Sequence, residues 1–195
     1  MQAERARYRR AGQRARLALD AGARAHYSER ICNHTARSAL WHSAERVGLY
    51  FAAAAEVDVS DLFVEAFATG RVVFVPVVGA TGRMRFVRLE RDAALTRNRY
   101  GIWEPEGTPD AIPAPQLDLV ITPLVAFDDA GNRIGMGAGY YDRCFSFLRH
   151  RTRWLHPKLV GAAFSCQRVP TIPAAEWDIP LFAVATEQGL HRCMR

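Results

Sequence analysis

Lysine is almost missing: of the 26 basic residues in this 195-residue chain, Lys158 alone is a lysine. Charge carried by arginine suits bidentate phosphate contacts, but it reads first as a compositional bias of the source. Cysteine is sparse as well. Cys32, Cys144, Cys166 and Cys193 stand far apart, with no CxxC pair and no Cys/His cluster. Neither a zinc site nor a disulfide framework is indicated, and a reducing compartment, the cytoplasm, is expected. No run approaches the ~18 apolar residues that span a membrane. The basic stretch from Met1 to Arg16 has no apolar segment to serve as a signal core, so a soluble protein is expected. That stretch is Arg-rich and acid-poor, as a mitochondrial transit peptide is, but it runs straight into a helical pattern. Repeats, low-complexity tracts and RNP, KH or zinc-finger patterns are all missing, which weakens any reading as an RNA-binding module drawn to the basic start.

What is present suffices for a core. Hydrophobic residues make up 49% of the chain, and the length fits one domain over residues 1–195. A formal charge of +6 favours anionic partners, among which nucleic acid, nucleotides and substrates with polyanionic tails are not distinguished by charge alone.

Residues 3–21 read as a strongly basic helix and 28–43 as a second one, with Ser28 as its N-cap before Ile31, Cys32, Thr35 and Leu40. Val47–Ala52 is a short apolar run, the length of a buried strand. Asp58 or Ser60 can cap a helix whose Leu62, Phe63, Ala66 and Phe67 share a face, and Gly70 stands where a C′ glycine ends it. The β-branched and aromatic run 71–78 is another strand. Strand, helix and strand joined by short connections form the βαβ unit of a parallel sheet. Further strands are expected at 84–88, 118–122, 159–164 and 182–186, and a helix over 138–150. With four prolines and two glycines, 100–116 reads as an excursion rather than an element. The fold class is therefore α/β: a single three-layer domain with a mainly parallel sheet flanked by helices.

The chemistry concentrates in Phe127-Asp-Asp-Ala-Gly-Asn-Arg-Ile-Gly-Met-Gly-Ala-Gly-Tyr-Tyr-Asp-Arg143, between an apolar strand and the expected helix. Gly135, Gly137 and Gly139 permit φ > 0 and let backbone N–H groups approach an anion, with the helix N-terminus aimed at the same place. A plain loop is the competing reading. The pattern is not the Walker loop, which needs Gly-Lys-Ser/Thr, nor a dinucleotide fingerprint, because the third glycine of GxGxxG falls on Tyr140.

The succession Leu-Val-Ile-Thr-Pro, Ala-Phe-Asp, then Gly-Asn-Arg-Ile-Gly-Met-Gly-Ala-Gly-Tyr-Tyr-Asp-Arg resembles the signature of the 5-formyltetrahydrofolate cyclo-ligase family, the methenyltetrahydrofolate synthetases. The similarity extends to the basic first helix, the Glu-Val-Asp step, the Val-Phe-Val-Pro-Val strand, Trp-Glu-Pro, and Glu176-Trp-Asp-Ile-Pro-Leu. It implies a monomeric ligase that uses ATP as co-substrate, with magnesium (Mg2+), on a reduced folate. Arg5 and Arg9 match a basic pair reaching ATP phosphates, and their i, i+4 spacing puts both guanidiniums on one helical face. Arg133, Ile134, Gly135, Met136, Gly137, Ala138, Gly139, Tyr140 and Tyr141 match the combined nucleotide and folate loop. Asp142 and Asp178 match magnesium-associated carboxylates, a donor set suited to an ion that also holds phosphate oxygens and water. Phe51, Glu56 and Tyr100 match folate-pocket positions, Glu56 as acceptor from pterin nitrogens and the aromatics as stacking surfaces. Arg9, Arg133 and Tyr141 are the residues implied as catalytic.

Three positions depart from the family pattern: Ala138 where glycine or lysine is frequent, Trp177 where histidine often precedes the aspartate, and Phe182 where aspartate is common. Phe182 removes a carboxylate near the implied metal region and leaves open a catalytically silent paralogue with a binding or regulatory role. A sugar-phosphate isomerase is a further alternative compatible with the sheet architecture; dependence on ATP discriminates against it.

Overall fold

The computed structural model describes residues 1–79, 81–107, 109–151 and 156–194. Helix α1 runs Gln2–Ala18, and Asp20 then starts α2 (Ala21–Ala36), its Oδ1 accepting the Ala23 N–H at 2.7 Å. The second helix therefore begins seven residues earlier than its apolar pattern suggests. Ser28 is no cap: it lies inside α2 and its hydroxyl accepts the Asp58 N–H at 3.1 Å. The helix also stops sooner, and Ser38 caps a separate short turn, α3 (Ala39–His42), by accepting the Trp41 N–H at 3.2 Å. Strand β1 covers Arg46–Gly48, shorter than the expected 47–52. Beyond Leu49 the chain leaves the sheet, with the Tyr50 hydroxyl donating to Val57 O at 2.8 Å.

Helix α4 (Ser60–Ala68) ends where expected. Gly70 adopts φ +73°, its N–H bonds to Phe67 O at 3.4 Å, and the Arg71 N–H bonds to Ala66 O at 2.9 Å. These two bonds form a Schellman closure on the left-handed glycine. The chain continues through β2 (Val72–Val78), β3 (Met84–Leu89), β4 (Leu95–Arg97), β5 (Trp103–Pro105), β6 (Ala111–Ile112), β7 (Leu119–Pro123), β8 (Ala126–Phe127) and β9 (Arg133–Ile134). Then follow α5 (Tyr140–Cys144), β10 (Lys158–Ala162), β11 (Ala183–Thr186) and β12 (Gly189–Arg192). The excursion 100–116 contains β5, which pairs with β4 in a hairpin, and β6, which extends the main sheet; Thr108 lies outside the described residues. The helix expected over 138–150 is the five-residue α5 and then a 3-10 turn, Ser146–His150.

The eight-stranded sheet has the order β12-β11-β10-β7-β1-β2-β3-β6, parallel from β11 through β2 and antiparallel at both edges. Alternation along each strand sorts side chains to two faces. Val47, Leu49, Val73, Val75, Leu119, Ile121 and Val160 join Ile31, Trp41 and Leu62 beneath α2, α3 and α4. Phe74, Phe86, Val120, Leu159 and Val184 meet Phe145, Phe147 and Leu148 on the other face. Burial on both faces makes the parallel strands continuous apolar runs, the reason they are legible in the sequence.

From β1 the chain steps to β2 on one side, while β7, β10 and β11 lie on the other. The order thus reverses between β1 and β7, and an open α/β sheet offers its ligand crevice beyond the carboxyl ends of the strands at such a point. The segment carrying Glu56 follows β1, and the β8–β9 hairpin that leads into the glycine loop follows β7, so both leave the sheet at that end.

Candidate functional site

The Asp-Asp-Ala-Gly-Asn turn builds the support of the loop. Asp128 is buried, and its carboxylate accepts the Asn132 N–H, the Asn132 Nδ2 and the Ile172 N–H at 2.9, 2.9 and 2.8 Å. Gly131, at φ +86°, closes the tight β8–β9 reversal. That hairpin drives Arg133 inward, where it is 8% exposed, donating to Asp142 Oδ1 at 2.8 Å and to Ile179 O. The Ile179 N–H also reaches Asp142 Oδ1, at 3.2 Å. Arg133, Asp142 and the backbone of Ile179 thus lock the start of α5 to the segment that carries Asp178.

Helix α1 lies across the loop. Arg9 donates Nε to Gly135 O at 2.9 Å, and a Cβ on Gly137 would stand 3.8 Å from its guanidinium carbon. Arg5 makes a two-point contact with Asp178, at 2.5 and 3.1 Å, and donates to Pro173 O at 2.9 Å. The shared face of the two arginines therefore spans two segments, the glycine loop and the Asp178 turn. Tyr8 anchors this helix on the small cluster of Ala126, Ile134 and Ile172. Ile134 is fully buried there, so its side chain is core while Gly135 to Ala138 are exposed.

Of the three loop glycines, Gly137 and Gly139 use positive φ, +113° and +65°. Arg143 donates to Ala138 O at 2.6 Å and stands over the Tyr140 ring. The expected contribution from a helix N-terminus is small, because α5 is five residues long and the dipole of so short a helix is correspondingly weak. Cationic side chains supply the positive field instead.

The excursion returns to this site. Tyr100 and Tyr140 hydroxyls are 3.1 Å apart, and Arg99 and Arg143 stand over their rings. The hydrogen bond between the two hydroxyls lowers the Tyr100 pKa and raises that of Tyr140. Met136 is exposed beside Gln13, whose amide meets its sulfur at 3.5 Å. Phe51 stacks on Phe63 with centroids 5.1 Å apart, at the edge of the core beneath the helices. Phe182 lies between two cations, Lys158 and Arg192, at 4.5 and 4.9 Å from its ring centroid.

Glu56 closes its own turn, accepting the Ala53 N–H at 3.1 Å, and sits 3.8 Å from Arg16. Burial raises its pKa, against the lowering effects of the Ala53 N–H and Arg16. Tyr141 is pushed well above the usual phenol value by burial and the charge of Glu56, opposed by Arg133, and therefore stays protonated. Arg16 was not singled out in the sequence, although it lies eleven residues after Arg5 and seven after Arg9 on the same face of α1. Helical spacing was the available signal.

The 5-formyltetrahydrofolate cyclo-ligase family profile matches residues 1–187. This chain belongs to the 5-formyltetrahydrofolate cyclo-ligase family. The Escherichia coli K12 5-formyltetrahydrofolate cyclo-ligase is 38% identical over 148 residues, covering 73% of this chain and 78% of the relative. The Haemophilus influenzae cyclo-ligase is 33% identical over 157 residues, covering 79% and 82%. The fold is similar to that of the Aquifex aeolicus 5,10-methenyltetrahydrofolate synthetase, with TM-score 0.83 and 27% identity over 98% of this chain and 93% of the other. The protein is thus an enzyme of the ligase class, as its signature loop implied. No helix among the described residues is long and apolar enough to cross a membrane.

Proposed function

We propose that the enzyme converts 5-formyltetrahydrofolate into 5,10-methenyltetrahydrofolate while ATP becomes ADP and phosphate, working as a cytoplasmic monomer. The observation that carries this reading is the convergence of Arg9 and Arg133 on the loop 135–142, with Arg5 on the adjoining Asp178 and the half-buried Glu56 on the segment after β1.

The formyl oxygen is a poor leaving group and must first be esterified. It attacks the γ-phosphoryl group, ADP departs, and an N5-iminium phosphate results. N10 then attacks the iminium carbon, and the C–O bond breaks to release phosphate and a proton as the ring closes. Phosphoryl transfer asks the protein chiefly to position the reactants and neutralise charge. Arg9 and the loop amides of residues 135–139 are suited to the phosphates. Arg5 can join them by exchanging Asp178 for phosphate, and Arg133 holds Asp142 in place. Tyr141, protonated at neutral pH, is a hydrogen-bond donor toward the transferring group. Tyr100, Tyr140 and Phe51 would offer aromatic surfaces to a pterin whose N–H edge Glu56 accepts.

Asp142 fits a magnesium ion: its Oδ1 takes Arg133 and Ile179, while Oδ2 accepts no hydrogen bond among the described residues. Asp178 fits it when Arg5 moves to phosphate, because both its oxygens are now occupied by Arg5 and the Ala175 N–H. The described residues contain no group of three or more metal-ligating side chains, as suits an ion held largely by phosphate oxygens and water. Bound there, magnesium would neutralise phosphate charge.

The test is methenyltetrahydrofolate absorbance with purified protein, 5-formyltetrahydrofolate and magnesium, with and without ATP. ATP-dependent product is expected. A folded sample that forms none would overturn the assignment in favour of a silent family member.

A further inference from the structure

A guanidinium buried for structural reasons is ordinarily saturated with acceptors, because a desolvated donor left unpaired is costly. Arg133 is held in that way by Asp142 and Ile179. Arg16 is not. It is 5% exposed, and its Nε and Nη1 have no acceptor among the described residues. The nearest opposite charge is Glu56, with Oε1 3.8 Å from Nη1. That is beyond hydrogen-bond length, yet close for two charges shielded from water.

Glu56 is surrounded by groups from several elements. Arg16 faces it from α1. Tyr141 faces it from α5, and Tyr50, with Asp58 near it, from the segment after β1. Its own turn supplies the Ala53 N–H, which takes Oε2. The tyrosines are uncharged and Asp58 is an anion, so Arg16 is the cation acting on this carboxylate. It stands on the helical face of Arg5 and Arg9, one turn past Gly12, whose missing side chain lets α1 settle against Val125. The close seating of the helix therefore brings Arg16 inward.

We infer that Arg16 is a positioning residue that acts through Glu56, keeping the carboxylate ionised and oriented to accept the N–H edge of the reduced pterin. This rests on the reading of Glu56 as the pterin acceptor. The unpaired donors and the open 3.8 Å approach fit a site that tightens only when ligand arrives. Arg16 opposes the effect of burial on Glu56, so without its cation the carboxyl titrates higher and less of it is charged near neutral pH. Loss of Arg16 then becomes a pH-dependent loss of folate affinity.

The experiment measures the dissociation constant of 5-formyltetrahydrofolate by calorimetry from pH 6.5 to 9 for the wild type, Arg16→Met and Arg16→Lys. In parallel, the Glu56 carboxyl is titrated by 13C NMR without ligand, its signal assigned with Glu56→Gln. Arg16→Met is expected to bind up to about tenfold more weakly at pH 7, with the gap to wild type closing as the pH rises to 9. Its Glu56 signal should titrate at higher pH, while Arg16→Lys retains the wild-type profile. Arg16→Gln, of intermediate reach, serves if Arg16→Met does not fold. An affinity loss equal at every pH, or a Glu56 titration unmoved by removing the cation, overturns the inference. The ligand-free titration reads the Arg16–Glu56 coupling by itself. Unchanged folate affinity in Glu56→Gln would instead sink the assignment of Glu56 to the pterin.

Discussion

Gly12→Ala tests whether α1 is seated by a backbone contact. A Cβ added at Gly12 would stand 2.1 Å from Val125 O, more than about 1 Å inside the ~3.3 Å at which carbon and carbonyl oxygen ordinarily meet. The obstacle is main chain in a buried segment, so it cannot swing aside as a flexible side chain would, and α1 must lift. Overpacking of this kind costs up to about 3 kcal/mol, offset by about 1 kcal/mol from replacing glycine with alanine inside a helix. The net loss is about 2 kcal/mol, or roughly 4–8 °C in Tm for a chain of this size. The displacement also reaches the site, because the same helix carries Arg9 to Gly135 O at 2.9 Å and Arg5 to Asp178 at 2.5 Å. A shift of about 1 Å at such contacts can cost up to about 100-fold in rate. Scanning calorimetry and initial rates of methenyl formation at varied ATP give the two readouts. A variant as stable as wild type, with an unchanged KM for ATP, would refute the argument that this glycine seats the helix.

Asp142→Asn should abolish turnover while leaving the circular dichroism spectrum intact; unchanged turnover at saturating magnesium would remove Asp142 from the site. Arg9→Met should raise the KM for ATP about 10–100-fold, the worth of one charge-assisted hydrogen bond of about 1.5–3 kcal/mol, and an unaltered KM would detach Arg9 from the nucleotide. Because burial raises the Glu56 pKa in the folded state, the native protein binds that proton more tightly than the unfolded chain does. Its folding stability therefore falls as pH rises from the ordinary carboxyl value through the raised one. Urea denaturation should show that slope in wild type and lose it in Glu56→Gln; identical slopes would contradict it. Removing Glu56 alone strands a buried arginine, so the double variant Arg16→Met/Glu56→Gln should exceed Glu56→Gln in Tm, and the reverse order would show that Arg16 is solvated after all.

Local codes were legible where neighbours in the chain decide the structure. Gly70 closing α4, the apolar strands, and the loop from Arg133 to Asp142 are of this kind. The apolar pattern of Ile31, Cys32, Thr35 and Leu40 misplaces the second helix because it runs through a break that Ser38 makes by capping its own short turn. The helix after the glycine loop is shorter than its apolar pattern suggests for a similar reason. Its Phe145 is buried against the sheet with Phe147 and Leu148 packed partly buried beside it, and such packing can be satisfied by a 3-10 turn as well as by an α-helix.

The sequence by itself determined the family, the α/β layering and the residue types at the crevice, because hydrophobic periodicity, turn glycines and a contiguous signature are written over short distances along the chain. Only the tertiary structure decided which charges meet. Arg5 finds Asp178 across 173 positions, and Arg16 reaches Glu56 because a glycine lets the first helix press against Val125. Partnerships of this kind depend on how elements pack, and no local pattern encodes the distance between two side chains on different elements.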